Sequence, residues 1–278
     1  MDILNPTSSI MHQFGQSCMQ KRANLVIVDI RLLKGSAPRS AGTLMFVSAD
    51  GVSGTIGGGH LEFAAIAQAR RMVHSGEVGA VEQTFALGPT LGQCCGGSVV
   101  LGYEFLSELN WPDIEAKLAA MVSIRFTLNL FGAGHVGAAL VRALAPLPCI
   151  VNWIDEREEL FECYATEQTS NIRIIAVDSP AAEVRHGRLG DYYLVLTHSH
   201  ALDLEIIEAV LRRGDAGYVG LIGSATKRAV FTSRLEQKGL CVEPLHCPVG
   251  LAGVVGKEPE VIAASIAADL LLRSSVGL

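Results

Sequence analysis

The sequence has no cluster of basic residues and only a modest share of charge. Its 278 residues include 22 Lys and Arg against 28 Asp and Glu, which gives a formal net charge of −6 and a pI near 5.8. Because proteins normally bind nucleic acids through a basic patch, we expect no nucleic-acid partner. Hydrophobic residues make up 49% of the chain and charged residues 18%, which predicts a folded protein long enough for two domains.

Cysteine spacing typical of a disulfide framework or a paired CxxC zinc site is also absent. The seven cysteines are an odd number, scattered at positions 18, 94, 95, 149, 163, 241 and 247. We therefore expect reduced thiols and a cytoplasmic location. The first residues lack a basic segment followed by an apolar one, which predicts no signal peptide. Apolar stretches are interrupted before membrane-spanning length, so we expect no membrane partner.

The cysteines that stand out are Cys94 and Cys95, which lie between glycines in the run Gly92–Gly97. Adjacent Cα atoms are about 3.8 Å apart, below the usual disulfide range, so the two thiols do not readily bridge. Flanking glycines let the backbone turn tightly and approach a ligand. Thiolates are soft ligands and nucleophiles, which favours a soft metal, sulfur transfer or redox chemistry. The alternative is a pair of small buried residues preceding a strand.

The N-terminal part, residues 1–110, is predicted to be an α+β domain that carries the cysteine loop. A helix over 60–74 follows the triple glycine Gly57–Gly59 directly, because its apolar residues recur at helical spacing. A boundary is predicted at 111–113, followed by a short helix. The strands are predicted from β-branched runs bounded by turn residues at 24–34, 43–49, 52–56, 80–86 and 98–106.

The C-terminal part, residues 122–278, alternates strands with helices and is predicted to form a Rossmann-like, doubly wound parallel sheet. The overall fold class is therefore α/β. Strands are predicted at 125–131, 149–154, 172–177, 192–197 and 218–222. Helices are predicted at 135–145, 156–164, 203–213, 226–238 and 259–273.

A glycine fingerprint supports this fold, because the strand ending at Phe131 runs into Gly-Ala-Gly-His-Val-Gly and then an apolar helix. Gly132 permits a tight turn, Gly134 lets a pyrophosphate approach, and Gly137 lets the helix pack closely on the strand. The first turn of the helix presents free N–H groups to an anion. A nucleotide is the expected ligand, and the alternative is a loop that only packs the fold.

Two further side chains belong to this predicted nucleotide site. Asp155 ends the next strand, where a carboxylate can accept a hydrogen bond from a ribose hydroxyl. His135 lies within the loop itself, where it either touches a phosphate or is solvated.

Polar residues follow two later strands, at the edge where such sheets bind ligands. After one strand come His198, His200 and Asp203, which either bind a metal or a ligand or cap a helix. Ser224 and Lys227 follow the next strand. These residues are equally consistent with a second anion site and with a helix that Ser224 caps and whose Lys227 is solvated.

Several short segments together resemble one family, the xanthine dehydrogenase accessory proteins of the XdhC type. The matches run in order over nearly the whole chain, although each is short. One departure is Ala252, which stands where the family commonly has an acidic residue after Gly-Leu. The matching segments are 35–39, 54–62, 95–97, 132–137, 197–200, 220–224 with Lys227, and 248–251 preceding the helical run 259–263.

The resemblance implies a chaperone for molybdenum cofactor (molybdopterin) rather than an enzyme, acting in purine catabolism. Such a protein holds the cofactor, supports its sulfuration with a cysteine desulfurase, and delivers it to the apo-subunit of xanthine dehydrogenase; a homodimer is also expected.

The resemblance further implies roles for single residues. Cys95, at the family position, is the expected contact to molybdenum, with Cys94 as the second candidate. Gly57, Gly58 and Gly59 are expected to cradle a phosphate, or else form only a tight turn.

Two charged side chains complete this set. Arg39 is the expected charge partner of the phosphate. Glu62 is expected to accept from pterin N–H groups, or else serves as a first-turn acid of the helix.

Two other functions are consistent with the residues. The glycine fingerprint and Asp155 also fit an NAD(P)-dependent oxidoreductase with a redox cysteine loop, although no proton-transfer constellation is recognisable. A zinc module built from Cys94, Cys95, His198 and His200 lacks paired CxxC spacing.

Overall fold

A computed structural model of the protein describes residues 6–21, 23–35, 39–76, 79–87, 97–121, 124–164 and 169–275. The chain divides into two units, residues 1–123 and 124–278. Cys94 and Cys95 lie outside the described residues.

The first unit is built on a five-stranded antiparallel sheet with the order β3-β2-β1-β5-β4. Three helices accompany the strands in the described part of this unit. The strands are β1 (Leu25–Lys34), β2 (Leu44–Ser48), β3 (Val52–Gly54), β4 (Val81–Leu87) and β5 (Gly97–Phe105). The helices are α1 (Pro6–Gln20), α2 (Gly59–Ser75) and α3 (Trp111–Ala120).

Both faces of this sheet are covered, and β1 shows why. Its side chains alternate between two cores, as the two-residue period of a strand requires. Val26 and Val28 join the core that contains α2 residues such as Leu61, while Leu25 and Ile27 join the core that contains residues of α1 and α3. No helix was predicted before residue 24, so α1 is an addition to the sequence-based description.

One edge of this sheet collects three connections. β1 ends there at Lys34, and β2 begins there at Leu44, because the two strands run antiparallel. β3 also ends there at Gly54, since it is antiparallel to β2. Leu87 pairs with Gly97 at the same edge, so β4 ends and β5 begins there. The strand ends that flank the predicted cysteine loop therefore point the same way as the end of β3 that leads into the triple glycine, but they lie several residues further along β1.

The second unit is built on a six-stranded parallel sheet with the order β11-β10-β9-β6-β7-β8. In chain order this is 3-2-1-4-5-6 read from β8, the order of the dinucleotide-binding fold. The predicted α/β fold class is therefore confirmed. The strands are β6 (Phe126–Phe131), β7 (Cys149–Asp155), β8 (Ile172–Ala176), β9 (Tyr192–Val195), β10 (Tyr218–Leu221) and β11 (Leu245–His246).

Helices cover both faces of the parallel sheet. Residues of α4 and α8 share one core, and residues of α6 and α7 share the other. The helices are α4 (His135–Leu144), α5 (Pro180–Glu183), α6 (His200–Arg213), α7 (Ala225–Gln237) and α8 (Pro259–Ser275).

One predicted α-helix is wrong in type. Residues 156–164 were expected to form an α-helix, but Glu158–Tyr164 forms a 3₁₀ helix. The rings of Phe161 and Tyr164 both meet Trp153 edge-on, at centroid distances of 4.9 and 5.0 Å. Because residues three apart align on a 3₁₀ helix, this winding brings both rings to the same indole.

Candidate functional site

The glycine fingerprint of the second unit has the geometry that its spacing predicts. Gly132 has φ +123°, and a Cβ there would overlap the carbonyl oxygen of Leu196. A Cβ at Gly137 would overlap the carbonyl oxygen of Gly132. Both positions therefore require glycine for packing alone, whether or not a ligand binds.

Gly134 differs from its neighbours because the space above it is open. A Cβ at this position would meet nothing within 4 Å. Gly134 caps the N-terminus of α4 without a side-chain cap hydrogen bond, so the first N–H groups of the helix face that space. His135 is exposed. An anion can thus reach the helix N-terminus at the predicted place.

Asp155, the predicted ribose acceptor, is folded into the glycine loop. Its side chain is only 4% exposed, and Oδ2 accepts from the Ala133 N–H at 2.6 Å. The Arg157 side chain approaches in a fork, donating from Nε to Oδ1 and from Nη2 to Oδ2, each at 2.8 Å. The Arg157 backbone N–H also donates to Oδ1, at 3.0 Å.

These contacts determine the charge of Asp155 and its availability. Burial acts to raise the pKa of Asp155, but the hydrogen bonds from Arg157 and Ala133 outweigh it and hold that pKa below its ordinary value. The carboxylate is therefore ionised at neutral pH, and each oxygen already accepts two hydrogen bonds. A ribose hydroxyl has to compete with Arg157 for this group.

The structure brings the two later polar clusters together through a buried ion pair. Lys227 Nζ donates to Asp203 Oδ2 at 2.6 Å and to the Ile222 carbonyl at 2.9 Å. Asp203 is fully buried, and its Oδ1 accepts from the Thr197 N–H and hydroxyl at 3.0 and 2.7 Å. The positive charge of Lys227 is thus compensated, so it does not serve as a free anion partner. The pair instead joins the ends of β9 and β10.

The remaining residues of these clusters lie at the surface. His198 Nε2 is 3.6 Å from Glu156 Oε1, and the two side chains are 46% and 38% exposed. His200 is exposed at the first residue of α6. Ser224 caps α7, since its Oγ accepts from the Lys227 N–H. Within the described part of the chain, no three His, Cys, Asp or Glu side chains are grouped to hold a metal ion.

In the first unit, Glu62 anchors the turn that contains the triple glycine. Its Oε2 accepts from the Thr55 hydroxyl and from the N–H groups of Ile56 and Gly58, the latter two at 3.0 Å each. Glu62 therefore reaches back from α2 to the turn that precedes this helix. This oxygen is committed to the turn, so a pterin N–H would have to compete for it; Glu62 also lies in the first turn of α2, as its alternative role expects.

The triple glycine adopts backbone conformations that other residues avoid. Gly57, Gly58 and Gly59 have φ values of +121°, +78° and +65°. Gly58 is the N-cap of α2, and a Cβ there would meet nothing within 4 Å. The turn is therefore tight, as predicted, and its surface at Gly58 is open to a ligand.

Arg39 lies in the connection between β1 and β2 and is exposed. It lines a cavity of about 510 Å³ together with Lys117 of α3. The cavity thus carries two cationic side chains. Cys94 and Cys95 are not among the described residues; Leu87 and Gly97, which flank them in the sequence, pair with each other where β4 ends and β5 begins.

Sequence reasoning missed the partners that engage the predicted carboxylates. Thr55 and Arg157 bind Glu62 and Asp155, respectively. The sequence offered one signal for these contacts, the short separation between the partners. Thr55 lies seven residues from Glu62, and Arg157 lies two residues from Asp155.

In the described residues, no helix is both long and apolar enough to traverse a membrane.

Comparisons with known proteins agree with the two-part structure. Residues 128–270 match the XdhC Rossmann domain, and residues 19–84 match the XdhC and CoxI family. The chain is 28% identical over 251 residues to the uncharacterized protein YqeB of Escherichia coli strain K12. That match covers 88% of this chain and 42% of YqeB, so the chain spans about two fifths of the length of this curated relative.

A solved structure shares the fold over nearly the whole chain. The crystal structure of a xanthine dehydrogenase from Bacillus halodurans has a TM-score of 0.74 and 20% sequence identity, covering 95% of this chain and 96% of that one. A likeness at this identity concerns the fold alone. The family match covers more than half of the chain, with the glycine fingerprint inside it. The chain therefore belongs to the XdhC family.

Proposed function

We propose that this protein is a maturation factor for xanthine dehydrogenase that carries molybdenum cofactor as its cargo. The proposal includes support of cofactor sulfuration by a cysteine desulfurase and delivery to the apo-enzyme. It is supported by family membership, since the XdhC family comprises accessory proteins rather than enzymes. The observation that carries it is the direction of three strand connections: the end of β3 before the triple glycine, the β1–β2 connection and the strand ends flanking Cys95 all lie toward the same end of the sheet.

The chemistry of this edge suits a cargo with a phosphate tail and a soft metal. The first N–H groups of α2, from Gly59 onward, have no acceptor within the helix and can hold a phosphate. Arg39, which is exposed in the β1–β2 connection, is the cation that we assign to this phosphate. A thiolate at Cys95 is the group that would suit molybdenum. Glu62 holds the turn in shape, so we assign it positioning instead of direct cofactor binding.

The second unit suggests a nucleotide as a further ligand. Open space at Gly134 and the free N–H groups of α4 favour an anion there. The same observation supports the alternative function, an NAD(P)-dependent oxidoreductase with a redox cysteine loop. The alternative predicts hydride transfer, whereas the carrier predicts bound pterin without turnover.

The test is the metal and pterin content of the full chain after co-expression in a host that makes molybdenum cofactor. We expect stoichiometric molybdenum and a fluorescent oxidised pterin, both lost in Cys95→Ala. Cys241→Ala is the matched control, because Cys241 is an exposed free thiol in the other unit. Equal cofactor loss in both variants would contradict a specific role for Cys95, and NAD(P) reduction without bound pterin would favour the oxidoreductase.

Delivery needs a second measurement. Cofactor-loaded protein is mixed with apo xanthine dehydrogenase, with and without a cysteine desulfurase and its cysteine substrate. We expect enzyme activity to appear faster than with free cofactor, and to require the desulfurase. Equal rates with and without this protein would contradict a delivery function.

A further inference from the structure

A cavity of about 540 Å³ opens in the second unit beyond the end of β11. Its walls are formed by the segment from His246 to Gly256, by one side of α8, and by Arg228 of α7. The volume is in the range of small-molecule sites. None of the functions proposed above uses this cavity.

The charge of the cavity is positive. Arg228 and Arg273 line it, and the described lining contains no aspartate or glutamate. Arg273 is paired with Asp269 on its own helix, at 3.0 Å. The Arg228 side chain is exposed and makes no hydrogen bond or ion pair with the residues that the structure describes. One guanidinium group therefore faces the cavity with its charge uncompensated.

His246 adds a neutral donor to the wall. Its Nε2 is 3.1 Å from Nη1 of Arg273, and because a guanidinium can only donate, Nε2 must be the acceptor. Desolvation by burial and the nearby Arg273 lower the pKa of His246. The ring stacks on Tyr218 with centroids 5.1 Å apart. A neutral imidazole of this kind keeps its proton on Nδ1 and can donate it.

The opposite part of the cavity offers a hydroxyl and an apolar surface. Ser265 Oγ accepts from the Leu251 N–H at 2.9 Å, which leaves its hydroxyl hydrogen available to a ligand. Gly250 makes this contact possible, because it has φ +93° and a Cβ there would lie 2.6 Å from Ser265 Oγ. Val261 and Ile262 line the cavity nearby.

We propose that this cavity binds a small organic oxyanion, with its phosphate or carboxylate at Arg228 and its apolar body against α8. Guanidinium groups match the geometry of both oxyanions. Ala252 also lines the cavity, and its methyl side chain brings no negative charge that would oppose an anion.

The test uses the full chain and three aromatic probes, measured by titration calorimetry. Phenyl phosphate and benzoate carry the two oxyanions, and benzamide is the neutral analogue of benzoate. We expect saturable binding of at least one oxyanion and much weaker binding of benzamide. Tighter phenyl phosphate binding would identify a phosphate site, and tighter benzoate binding a carboxylate site.

Variants locate the binding in the cavity. Arg228→Gln should weaken the oxyanion about tenfold or more, as expected for a charged hydrogen-bond partner. Ala252→Asp should weaken it in the same direction by repulsion. Arg234→Gln is the matched control, because Arg234 is exposed on the same helix and does not line the cavity. Equal effects of the two arginine variants, equal affinity for benzamide and benzoate, or no oxyanion binding would each overturn the proposal.

Discussion

The contact between Asp155 and the glycine loop predicts a measurable loss of stability in Asp155→Ala. The Ala133 N–H lies in a residue that is 4% exposed, so its loss of an acceptor leaves a buried donor unpaired. An unpaired buried group costs about 1–3 kcal/mol. The Arg157 side chain is 30% exposed, so losing the ion pair adds about 1 kcal/mol at most. We therefore expect the free energy of unfolding to fall by ~1–4 kcal/mol.

The assay is urea unfolding of the full chain, followed by tryptophan emission. The sequence contains two tryptophans, Trp111 in the first unit and Trp153 in the second. A Trp111→Phe background isolates Trp153, whose indole N–H donates to the Gly132 carbonyl at 2.9 Å and so reports on the loop itself.

Arg157→Gln is the matched control for this prediction. It removes the exposed half of the ion pair but keeps the bond from Ala133 to Asp155. We expect it to cost less than Asp155→Ala, because the carboxylate keeps its hydrogen bonds from the N–H groups of Ala133 and Arg157. If Asp155→Ala were no more destabilising than Arg157→Gln, the reasoning from the buried N–H would be refuted.

Three further predictions concern the other contacts described above. First, the pKa of Asp155 is lowered from 3.8, so the stability that this carboxylate contributes is present above pH 3.8 and is lost as the pH falls through its folded-state pKa. Below pH 3.8, the free energy of unfolding of Asp155→Asn should therefore change less with pH than that of the parent protein. Parallel curves for the two proteins would contradict this. Second, Lys227→Met leaves the fully buried Asp203 without its cation and should lower the free energy of unfolding in urea by about 3–5 kcal/mol. Adding Asp203→Leu should restore part of that free energy. No recovery would argue that the loss does not come from an uncompensated charge. Third, Glu62→Ala removes the acceptor of two N–H groups of the turn, so hydrogen exchange of the Gly58 amide should become about tenfold faster or more. Exchange of the amides in α8 should stay unchanged and serves as the control. An unaltered exchange rate at Gly58 would show that the turn does not depend on Glu62.

The parallel sheet could be predicted because its signals are local. Strands and helices alternate, and the glycines at 132 and 137 lie where packing admits no side chain. The α1 helix was missed for the opposite reason. Gly15 interrupts its pattern, and a Cβ there would lie 2.7 Å from a ring atom of Trp111 and 3.2 Å from one of Phe46. That glycine is explained only by residues distant in sequence, which no local pattern reveals.

The site could be predicted only in outline. Sequence placed Glu62 and Asp155 correctly beside glycine turns, because acids at these positions of strand–turn–helix units are recognisable. It could not decide what each carboxylate binds, because a ligand and the nearby backbone compete for the same oxygens. In both cases the structure shows backbone N–H groups as partners.

In both units a carboxylate accepts hydrogen bonds from the glycine turn, and this limits which N–H groups remain for an anion. In each, a carboxylate occupies part of the turn's N–H groups: Gly58 in the first unit and Ala133 in the second. An incoming phosphate must use the N–H groups of the following helix, beyond Gly58 or Gly134. It also approaches a fixed negative charge, which Arg157 offsets in the second unit. In the first unit Glu62 has no cationic partner among the described residues, so a phosphate bound at α2 would gain from a cation supplied by another segment, the role that we propose for Arg39.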